Sequence, residues 1–440
     1  MNLFYIKYCF LTILFTNYSH GCTPTTSYNV ESADDALISY ILEPVKDFIP
    51  VFNSSTVPKM DNFYEEFQAG SKNEDIHLNI TQLLTKYGYG SEEHQVKTKD
   101  GYVLDIFRIP SNGSVVFVMH GILSSSDDFL SIGPDRALAY YLADLGYDVW
   151  LGNARGNVHG RKNVYLSPEC AEFWNFSWDE IGRYDLTAMI DYVLETTNQK
   201  QLAFIGHSQG CTSFFVMASQ LPDYNNKISV MIALSGVSFL KHSTDPIFNV
   251  LAPFSNPVYA LAKTIGLYEL VPRNQITNAI TSIACGSPIT ATLFCNNILF
   301  ILYGFDYAQV NATLLPVIYG HFPGGSATKQ FIHYGQEIIS GKFSQFDYGS
   351  IENLKKYGTV RPPDYPLGKI TSKVAIFYAD NDYLFTAPDR EHLIQQLPNV
   401  IDTYRVPFKA FTHADFIFAN DVRKLVYDKV IEILKINAIT

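Results

Sequence analysis

The chain has 440 residues, of which 47% are hydrophobic and 17% are charged, so it is expected to be globular and not disordered. This length suits one large domain with a substantial insertion, or two or three small domains. The formal net charge of −11, in a sequence without a basic run, argues against a nucleic-acid-binding protein.

The N-terminus has the pattern of a cleavable secretory signal peptide, which we predict over residues 1–21. Lys7 precedes a short apolar stretch, and small residues follow near Ser19 and Gly21. The apolar stretch is too short to span a bilayer, and no later stretch is long and apolar enough. The mature protein is therefore expected to have no stable membrane insertion and to be secreted, into the extracellular space or a gut lumen, or delivered to lysosomes.

Five N-x-S/T triplets beyond this segment fit passage through the secretory pathway. They are candidate glycosylation sites at Asn53, Asn79, Asn112, Asn175 and Asn311.

The six cysteines do not form the dense pattern of a disulfide scaffold. Cys285 and Cys295 are close enough in sequence to close a small loop. Cys211 lies on an apolar stretch, which favours a buried free thiol. No CxxC motif or His/Cys cluster indicates a metal site, and no cofactor is expected.

Residues 22–77 show no clear strand pattern, and we predict an irregular N-terminal extension there. Two alternating runs then flank Asp100-Gly101, which is a strong hairpin signal. Four compact apolar runs follow at residues 115–119, 147–152, 202–205 and 230–234, each with a helix-like segment after it.

This alternation indicates a parallel sheet with helices on both faces. A helix is predicted over residues 178–196, where the apolar positions have helical spacing. The alternation of strand-like and helix-like segments stops between residues 238 and 370, which predicts a cap inserted over an active site. Two strands at 374–378 and 402–406 and a helix over 421–436 complete the pattern.

The sequence Gly206-His207-Ser208-Gln209-Gly210 fits the G-x-S-x-G pattern, directly after the apolar run QLAFI and before a helix-compatible segment. Strand, turn and helix are the context that a nucleophile elbow requires. A serine there must occupy a tight, strained turn, and side chains at Gly206 and Gly210 would crowd the neighbouring backbone. Ser208 is therefore the candidate nucleophile.

A serine nucleophile needs a general base and a carboxylate that orients the base, and in this fold class they follow in the order acid, then histidine. Asp380 and Asp382 follow the strand at 374–378, and His413 follows the strand at 402–406. We predict His413 as the base and Asp382 as the orienting residue, with Asp380 as the second candidate.

Two backbone amides are needed to bind the oxyanion. One is expected from Gln209, the residue after the nucleophile. The other is expected from Ile122, in the loop that follows the strand at 115–119. Arg155, in "GNARGN", is expected to form an internal ion pair or to anchor a loop, with anion binding as the alternative.

The chain resembles the acid lipase family, of the gastric and lysosomal acid lipase type, within the α/β-hydrolases. The extension up to residue 77 is longer than in vertebrate members and is similar to the arthropod branch. The matching stretches are "NITQLLTKYGYGSEEHQVKTKDGYVLDIFRIP", "HGILSSSDDF", "LADLGYDVWLGNARGN", "YLSPECAEFWNFSWDEIGRYDL", "GHSQG", "GHFPGGSATKQFIHYGQEIISGKFSQFDYG" and "FTHADFIFA".

The resemblance implies an α/β-hydrolase fold with a mostly parallel eight-stranded sheet, helices on both faces and an inserted, mainly helical cap and lid. The implied boundaries are 78–237 and 371–440 for the two parts of the core and 238–370 for the cap and lid. It implies a triad at Ser208, Asp382 and His413, oxyanion amides at Ile122 and Gln209, and a disulfide between Cys285 and Cys295.

The sequence departs from the family pattern at three points. The loop between the paired cysteines looks one residue longer, Tyr303 stands where the family has a third cap cysteine, and Ile122 stands where leucine is common. A β-branched side chain at 122 keeps the backbone amide but alters the wall of the acyl pocket.

The expected function is a serine lipase that hydrolyses neutral lipids, triacylglycerols first and cholesteryl esters second, through an acyl-enzyme. Its expected partner is neutral lipid at an emulsion or membrane interface, and the expected state is a monomer or homodimer. The alternatives are a non-catalytic lipid-binding or storage protein on the same scaffold, or a short-chain esterase or serine peptidase.

Overall fold

The computed structural model describes residues 63–245, 248–249, 252–273, 306 and 308–437. The predicted signal peptide, most of the predicted extension, Asn53 and the Cys285–Cys295 pair lie outside these residues.

A central sheet runs through the described chain in the strand order β1-β2-β4-β3-β6-β7-β10-β11, with β5 paired to β2, while β8 and β9 form a separate ladder. The strands are β1 Glu92–Lys97, β2 Tyr102–Ile109, β3 Val115–Met119, β4 Asp148–Leu151, β5 Lys162–Asn163, β6 Leu202–His207, β7 Ile228–Leu234, β8 Glu269–Leu270, β9 Ser326–Ala327, β10 Val374–Tyr378 and β11 Val400–Arg405.

The six apolar runs predicted as strands are β3, β4, β6, β7, β10 and β11, and each boundary lies within two residues of its prediction. The eight predicted strands are those of the main path. The ninth, β5, has two residues, which is too short for a periodic pattern to appear in the sequence.

On the main path of the described sheet, β2 alone runs opposite to the other strands. β1 and β2 form the antiparallel hairpin predicted around Asp100-Gly101, and β2 also pairs antiparallel with β4. From β4 to β11 every pairing on the main path is parallel. β3 is flanked by β4 on one side and β6 on the other, so connections leave in opposite directions. Such a switch point opens a crevice at the carboxyl ends of the strands.

Thirteen α-helices surround the sheet in the described residues. They are α1 Phe63–Gly70, α2 Ile80–Lys86, α3 Leu138–Asp144, α4 Trp178–Glu180, α5 Thr187–Thr197, α6 Gln209–Gln220, α7 Ser255–Ile265, α8 Leu315–His321, α9 Thr328–Ser340, α10 Ser350–Tyr357, α11 Ala387–Gln396, α12 Asp415–Phe418 and α13 Asp428–Asn437. A π-helical stretch, Ile181–Leu186, joins α4 to α5, so the helix predicted over 178–196 is confirmed as one continuous helical segment.

The core has one apolar layer on each face of the sheet. Alternate residues of β3 point to opposite layers, with Val115 and Phe117 in one and Val116 and Val118 in the other. Residues of α5, α6 and α9 fill the first layer, and residues of α2, α3 and α13 fill the second. All residues of β3, β6 and β7 are buried, which explains their unbroken apolar sequences.

The prediction of irregular structure as far as residue 77 was wrong for its last part. Residues Phe63–Gly70 form α1, and Glu74–His77 form a 3-10 helix. Both segments pack against α8, about 250 residues later in the chain, and His321 Nε2 lies 2.7 Å from the Asp75 carbonyl oxygen. Elements of eight and four residues contain too few turns to show a helical period, and tertiary contacts stabilise them.

Between β7 and β10 the described chain contains α7 to α10 and the short β8–β9 ladder. None of the helices in the described ranges combines the length and the apolar character needed to cross a bilayer.

Arg155 joins three segments of the chain. Its Nε lies 2.8 Å from Asp185 Oδ1, its Nη2 lies 2.9 Å from Asp100 Oδ1, and its guanidinium stacks 4.0 Å from the centre of the Tyr102 ring. Arg155 and Asp185 are almost fully buried. The expectation of an internal ion pair is confirmed, and it joins the β1–β2 turn, the loop after β4 and the π-helical stretch.

Replacing Arg155 by leucine should lower the free energy of unfolding by about 3–5 kcal/mol, because Asp185 would keep a buried charge without its cationic partner. Urea denaturation followed by tryptophan fluorescence measures the change. The matched control is Arg405→Leu, which removes the exposed ion pair with Asp380 and should change the free energy of unfolding little. Equal losses in the two variants would contradict this account.

Candidate active site

Ser208 occupies a sharp turn between β6 and α6. Its backbone angles are φ 52° and ψ −119°, a strained conformation for a residue that is not glycine. Its amide donates to the Leu234 carbonyl oxygen at 3.1 Å, which fastens the turn to the end of β7. The turn places Ser208 at the first turn of α6, whose positive end favours negative charge.

Two glycines make this turn possible. A Cβ at Gly210 would lie 2.4 Å from the Met119 carbonyl oxygen, and a Cβ at Gly206 would lie 2.9 Å from the Cys211 amide nitrogen. Neither distance is sterically allowed without movement of the backbone. Gly206 therefore permits the close approach of β6 to α6, and Gly210 permits that of α6 to β3.

His413 and Asp382 form a buried pair beside the turn. The His413 Nδ1 atom lies 3.0 Å from Asp382 Oδ2 and 3.2 Å from Oδ1, and both side chains are almost inaccessible to water. His207, the residue before Ser208, places its Nε2 3.0 Å from the His413 carbonyl oxygen, and the two rings are 5.0 Å apart between centroids. This contact brings the loop after β11 against the elbow.

Asp382 is equipped to remain ionised although it is buried. Burial alone raises its pKa, but the neighbouring His413, the Ser235 hydroxyl and backbone amides hold the pKa below its usual value. The amides of Leu384 and Phe385 donate to Asp382 Oδ1 at 2.9 and 3.0 Å. An ionised carboxylate accepts hydrogen bonds, so we infer that Nδ1 of His413 carries the proton and that Nε2 is left as the basic nitrogen.

Asp380, the second candidate for the carboxylate, lies elsewhere. Its carboxylate is partly exposed and pairs with Arg405, whose Nε lies 3.0 Å from Oδ1. The hydrogen bond from Arg405 lowers the pKa of Asp380. The structure therefore brings Asp382, and not Asp380, to His413.

His207 and His120 flank the site as neutral groups. Burial lowers the pKa of His207 to about 3 and that of His120 to about 4. His120 accepts the amide of Ala154 at Nε2 over 3.1 Å, and its Nδ1 lies 2.7 Å from the Gly121 carbonyl oxygen. Both rings hold loops in place.

The loop after β3 lies directly against Ser208. A Cβ at Gly121 would be 3.0 Å from Ser208 Cβ and 3.5 Å from its Oγ, so only glycine leaves the hydroxyl undisturbed. Ile122 follows in this loop and is buried. Gln209 is the first residue of α6, where a backbone amide has no carbonyl one turn earlier to accept from it. Ile122 and Gln209 are thus each the chain neighbour of a residue at the Ser208 turn.

Contacts from the segment between β7 and β10 reach Gln209 and Leu123, the residue after Ile122, and no local sequence pattern indicates them. The Gln209 side chain donates to Gln330 Oε1 on α9 at 2.6 Å, and Gln330 in turn donates to Ser326 Oγ at 2.7 Å. The Gly324 amide donates to the Leu123 carbonyl oxygen at 2.6 Å, beside Ile122. Pairs so distant in sequence leave no local pattern.

Asp127 anchors the far end of the same loop. Its carboxylate contacts Arg273 Nη1 at 2.6 Å, His159 Nε2 at 2.5 Å and His321 Nδ1 at 3.1 Å. Although burial raises the pKa of Asp127, Arg273 and His159 hold it well below its usual value. For His321, burial lowers the pKa, but the hydrogen bond to Asp127 outweighs it and the pKa is raised.

The remaining predicted positions are distributed over the surface and the core. Asn79, Asn112 and Asn175 are exposed, whereas Asn311 is partly buried and its Oδ1 accepts from the Thr313 amide at 3.1 Å. Cys211 is a buried free thiol, as predicted. Cys170, to which the sequence assigned no role, is disulfide-bonded. No group of three or more His, Cys, Asp or Glu side chains in the described ranges is arranged to hold a metal ion.

Comparison with known proteins identifies the family to which the chain belongs. Residues 80–133 match the family model of a partial α/β-hydrolase lipase region, and residues 114–262 match that of the α/β-hydrolase fold. Lipase 1 of Drosophila melanogaster is 40% identical over 372 residues, which are 84% of this chain and 82% of that protein. The gastric triacylglycerol lipase of Homo sapiens is 36% identical, over 82% of this chain and 92% of that protein.

The chain belongs to the gastric and acid lipase family. It is a lipase, and hence a carboxylic-ester hydrolase, with the α/β-hydrolase fold. A solved structure of a proposed lipase from Sulfolobus solfataricus shares the fold, with a TM-score of 0.52 at 14% identity, over 78% of this chain and 93% of that one.

Replacing Asp382 by asparagine should lower the kcat of this lipase by about 10⁴-fold, because an amide can favour the wrong tautomer of His413 and carries no charge to stabilise the imidazolium. Hydrolysis of a soluble p-nitrophenyl ester measures the effect. The paired control, Asp380→Asn, removes only the exposed contact with Arg405 and should leave kcat close to that of the wild type. The reverse ranking would make Asp380 the functional carboxylate.

Replacing His321 by glutamine should destabilise the lipase more at pH 5 than at pH 8. Because the folded-state pKa of His321 is raised, its protonation stabilises the fold below the ordinary histidine pKa of about 6.5, and this contribution is lost as pH rises through the folded-state pKa. Melting temperatures of the variant and the wild type at both pH values test the sign. An equal loss of stability in the variant at pH 5 and pH 8 would contradict this assignment.

Proposed function

We propose that this lipase hydrolyses the carboxylic esters of neutral lipids, triacylglycerols first and cholesteryl esters second, through an acyl-enzyme on Ser208. The observation that carries the proposal is the contact of His207, the residue before Ser208, with the His413 carbonyl oxygen, which brings the strained Ser208 turn next to the buried His413–Asp382 pair. The names of the relatives support the substrate class, since several are gastric triacylglycerol lipases.

In the proposed reaction His413 is the general base. Its Nε2 takes the proton of the Ser208 hydroxyl as the oxygen attacks the ester carbonyl, and Asp382 stabilises the imidazolium that forms. The same Nε2 then protonates the leaving alcohol. In the second half, water gives its proton to His413 and attacks the acyl group, which releases the fatty acid and restores Ser208.

The oxyanion of each tetrahedral intermediate is proposed to accept hydrogen bonds from the amides of Ile122 and Gln209. Both amides are fixed before substrate arrives, the first by the close packing of Gly121 on Ser208 and the second by its place at the start of α6. Donors that need no reorganisation during the reaction stabilise the transition state more than the ground state.

Residues 238–370 are proposed to form the cap and lid over this site. Two observations support this role: Gln330 contacts the Gln209 side chain, and Gly324 contacts the loop that carries Ile122. A cap above a lipase site would open at an emulsion or membrane interface to admit neutral lipid. The protein is proposed to act there as a monomer or homodimer.

The proposed setting is outside the cytosol, after secretion or delivery to lysosomes. The signal-like N-terminus supports it, and so do the exposed side chains of Asn79, Asn112 and Asn175, which are open to glycosylation. The disulfide bond at Cys170 also fits an oxidising compartment.

Replacing Ser208 by alanine should abolish hydrolysis of emulsified triolein and cholesteryl oleate, with a loss of about 10⁴-fold or more, because the covalent nucleophile is removed. Release of oleate measures both reactions. Ser213→Ala is the matched control: it alters a buried serine of the same helix whose Oγ has no hydrogen-bond partner in the described chain, and it should retain activity.

Three outcomes separate this function from its alternatives. Equal turnover by wild type and Ser208→Ala would overturn the assignment of the nucleophile. Binding of triolein without any release of oleate would favour a lipid-binding protein. Rapid cleavage of p-nitrophenyl butyrate with no action on triolein would favour a short-chain esterase.

A further inference from the structure

Ser235 stands at the end of β7 and turns its hydroxyl toward the His413–Asp382 pair. The residue is fully buried, and its backbone φ is 52°, the left-handed region that favours glycine. Its amide donates to the Phe377 carbonyl oxygen at 3.0 Å, and its carbonyl oxygen accepts from Val237 at 2.8 Å. The backbone on both sides therefore fixes where the side chain points.

The hydroxyl oxygen contacts both members of the pair. Ser235 Oγ lies 2.5 Å from Asp382 Oδ2 and 2.7 Å from His413 Nδ1. The distance to Nδ1 is shorter than either distance from Nδ1 to the Asp382 carboxylate, which are 3.0 and 3.2 Å. The nearest acceptor for the Nδ1 proton is thus the serine oxygen.

The protons of the three groups can be assigned in only one consistent way while Asp382 is ionised. The carboxylate accepts, so the single hydroxyl proton of Ser235 is donated to Asp382 Oδ2. The serine oxygen then has a lone pair left, and this accepts the proton on His413 Nδ1. The result is a closed triangle in which the imidazole proton is shared between the carboxylate and the hydroxyl.

We propose that Ser235 is a positioning residue of the catalytic machinery, a fourth member that fixes the tautomer and ring orientation of His413 through Asp382. The inference rests on the proposed function of Ser208, Asp382 and His413. As His413 becomes positively charged, the hydrogen bond from Ser235 keeps Asp382 aligned with the Nδ1 proton, so the interaction strengthens in the transition state.

A purely structural role does not account for the residue. Serine at a positive φ carries a conformational cost that glycine would avoid, and the contacts of its hydroxyl are with Asp382 and His413 alone in the described chain. Ser238, three residues later, is equally buried, yet its Oγ has no hydrogen-bond partner within the described ranges. It provides a matched control for the loss of a buried hydroxyl.

The test compares Ser235→Ala, Ser235→Gly and Ser238→Ala with the wild type on a soluble p-nitrophenyl ester. We expect both Ser235 variants to lose about ten- to a hundredfold in kcat with little change in KM, the size of one hydrogen bond to a charged group. Ser238→Ala should match the wild type. Ser235→Gly relieves the backbone strain, so a loss shared by alanine and glycine is due to the hydroxyl and not to misfolding.

A double-mutant cycle shows whether the hydroxyl acts through the carboxylate. In the Asp382→Asn background the same Ser235→Ala change should lower kcat by no more than about twofold, because the ionised carboxylate has already been removed. The far-downfield proton resonance of His413 Nδ1 should also move in Ser235→Ala and stay in place in Ser238→Ala.

Ser208→Ala, measured in parallel, keeps the two proposals distinguishable. If Ser208→Ala is inactive while Ser235→Ala and Ser235→Gly equal the wild type, the role of Ser235 is overturned and the proposed function stands. An equal loss from Ser235→Ala with and without Asp382 would also overturn it, since the effect would then be structural. Full activity of Ser208→Ala would overturn both proposals together.

Discussion

The structure depends on one constraint: parallel strands end at the same edge of a sheet. β3, β6, β7, β10 and β11 run in the same direction, and each is followed within eight residues by one part of the candidate site. In strand order along the sheet these parts are Ile122, Ser208, Ser235, Asp382 and His413. Residues almost 300 positions apart therefore meet without any local signal that joins them, and the spacing of neighbouring strands sets their separations.

The buried sheet also holds backbone conformations that would not persist alone. Ser208 and Ser235 both have φ near 52°, and each directly follows a strand whose residues are all buried. The amide of Ser208 binds the last carbonyl of β7, and the amide of Ser235 binds a carbonyl of β10. Hydrogen bonds to the neighbouring strands thus hold both turns. The strained backbone angles are therefore maintained, and the two hydroxyls stay in their positions.

The sequence predicted the parts of this arrangement that have a local pattern. Apolar runs gave the strands, and the chain order of acid and histidine gave Asp382 and His413, which the structure then places in contact. Asp380 could not be rejected from the sequence, because two carboxylates two residues apart look alike; only the fold shows that one faces inward and the other meets Arg405. Ser235 was missed although it directly follows a predicted strand, because serine after a strand is common and its partners lie about 150 and 180 residues later.

The charge of the candidate site is concentrated in the His413–Asp382 pair. His120 and His207 are neutral because burial lowers their pKa values, so they orient loops without adding charge beside Ser208. Asp382 keeps its charge because amides and a hydroxyl replace the water that burial removes. A transient positive charge on His413 consequently meets the fixed carboxylate of Asp382. In a site closed to water that single interaction is stronger than it would be at the surface, which is why a buried triangle of three side chains suits a reaction that creates and removes an imidazolium twice in each cycle.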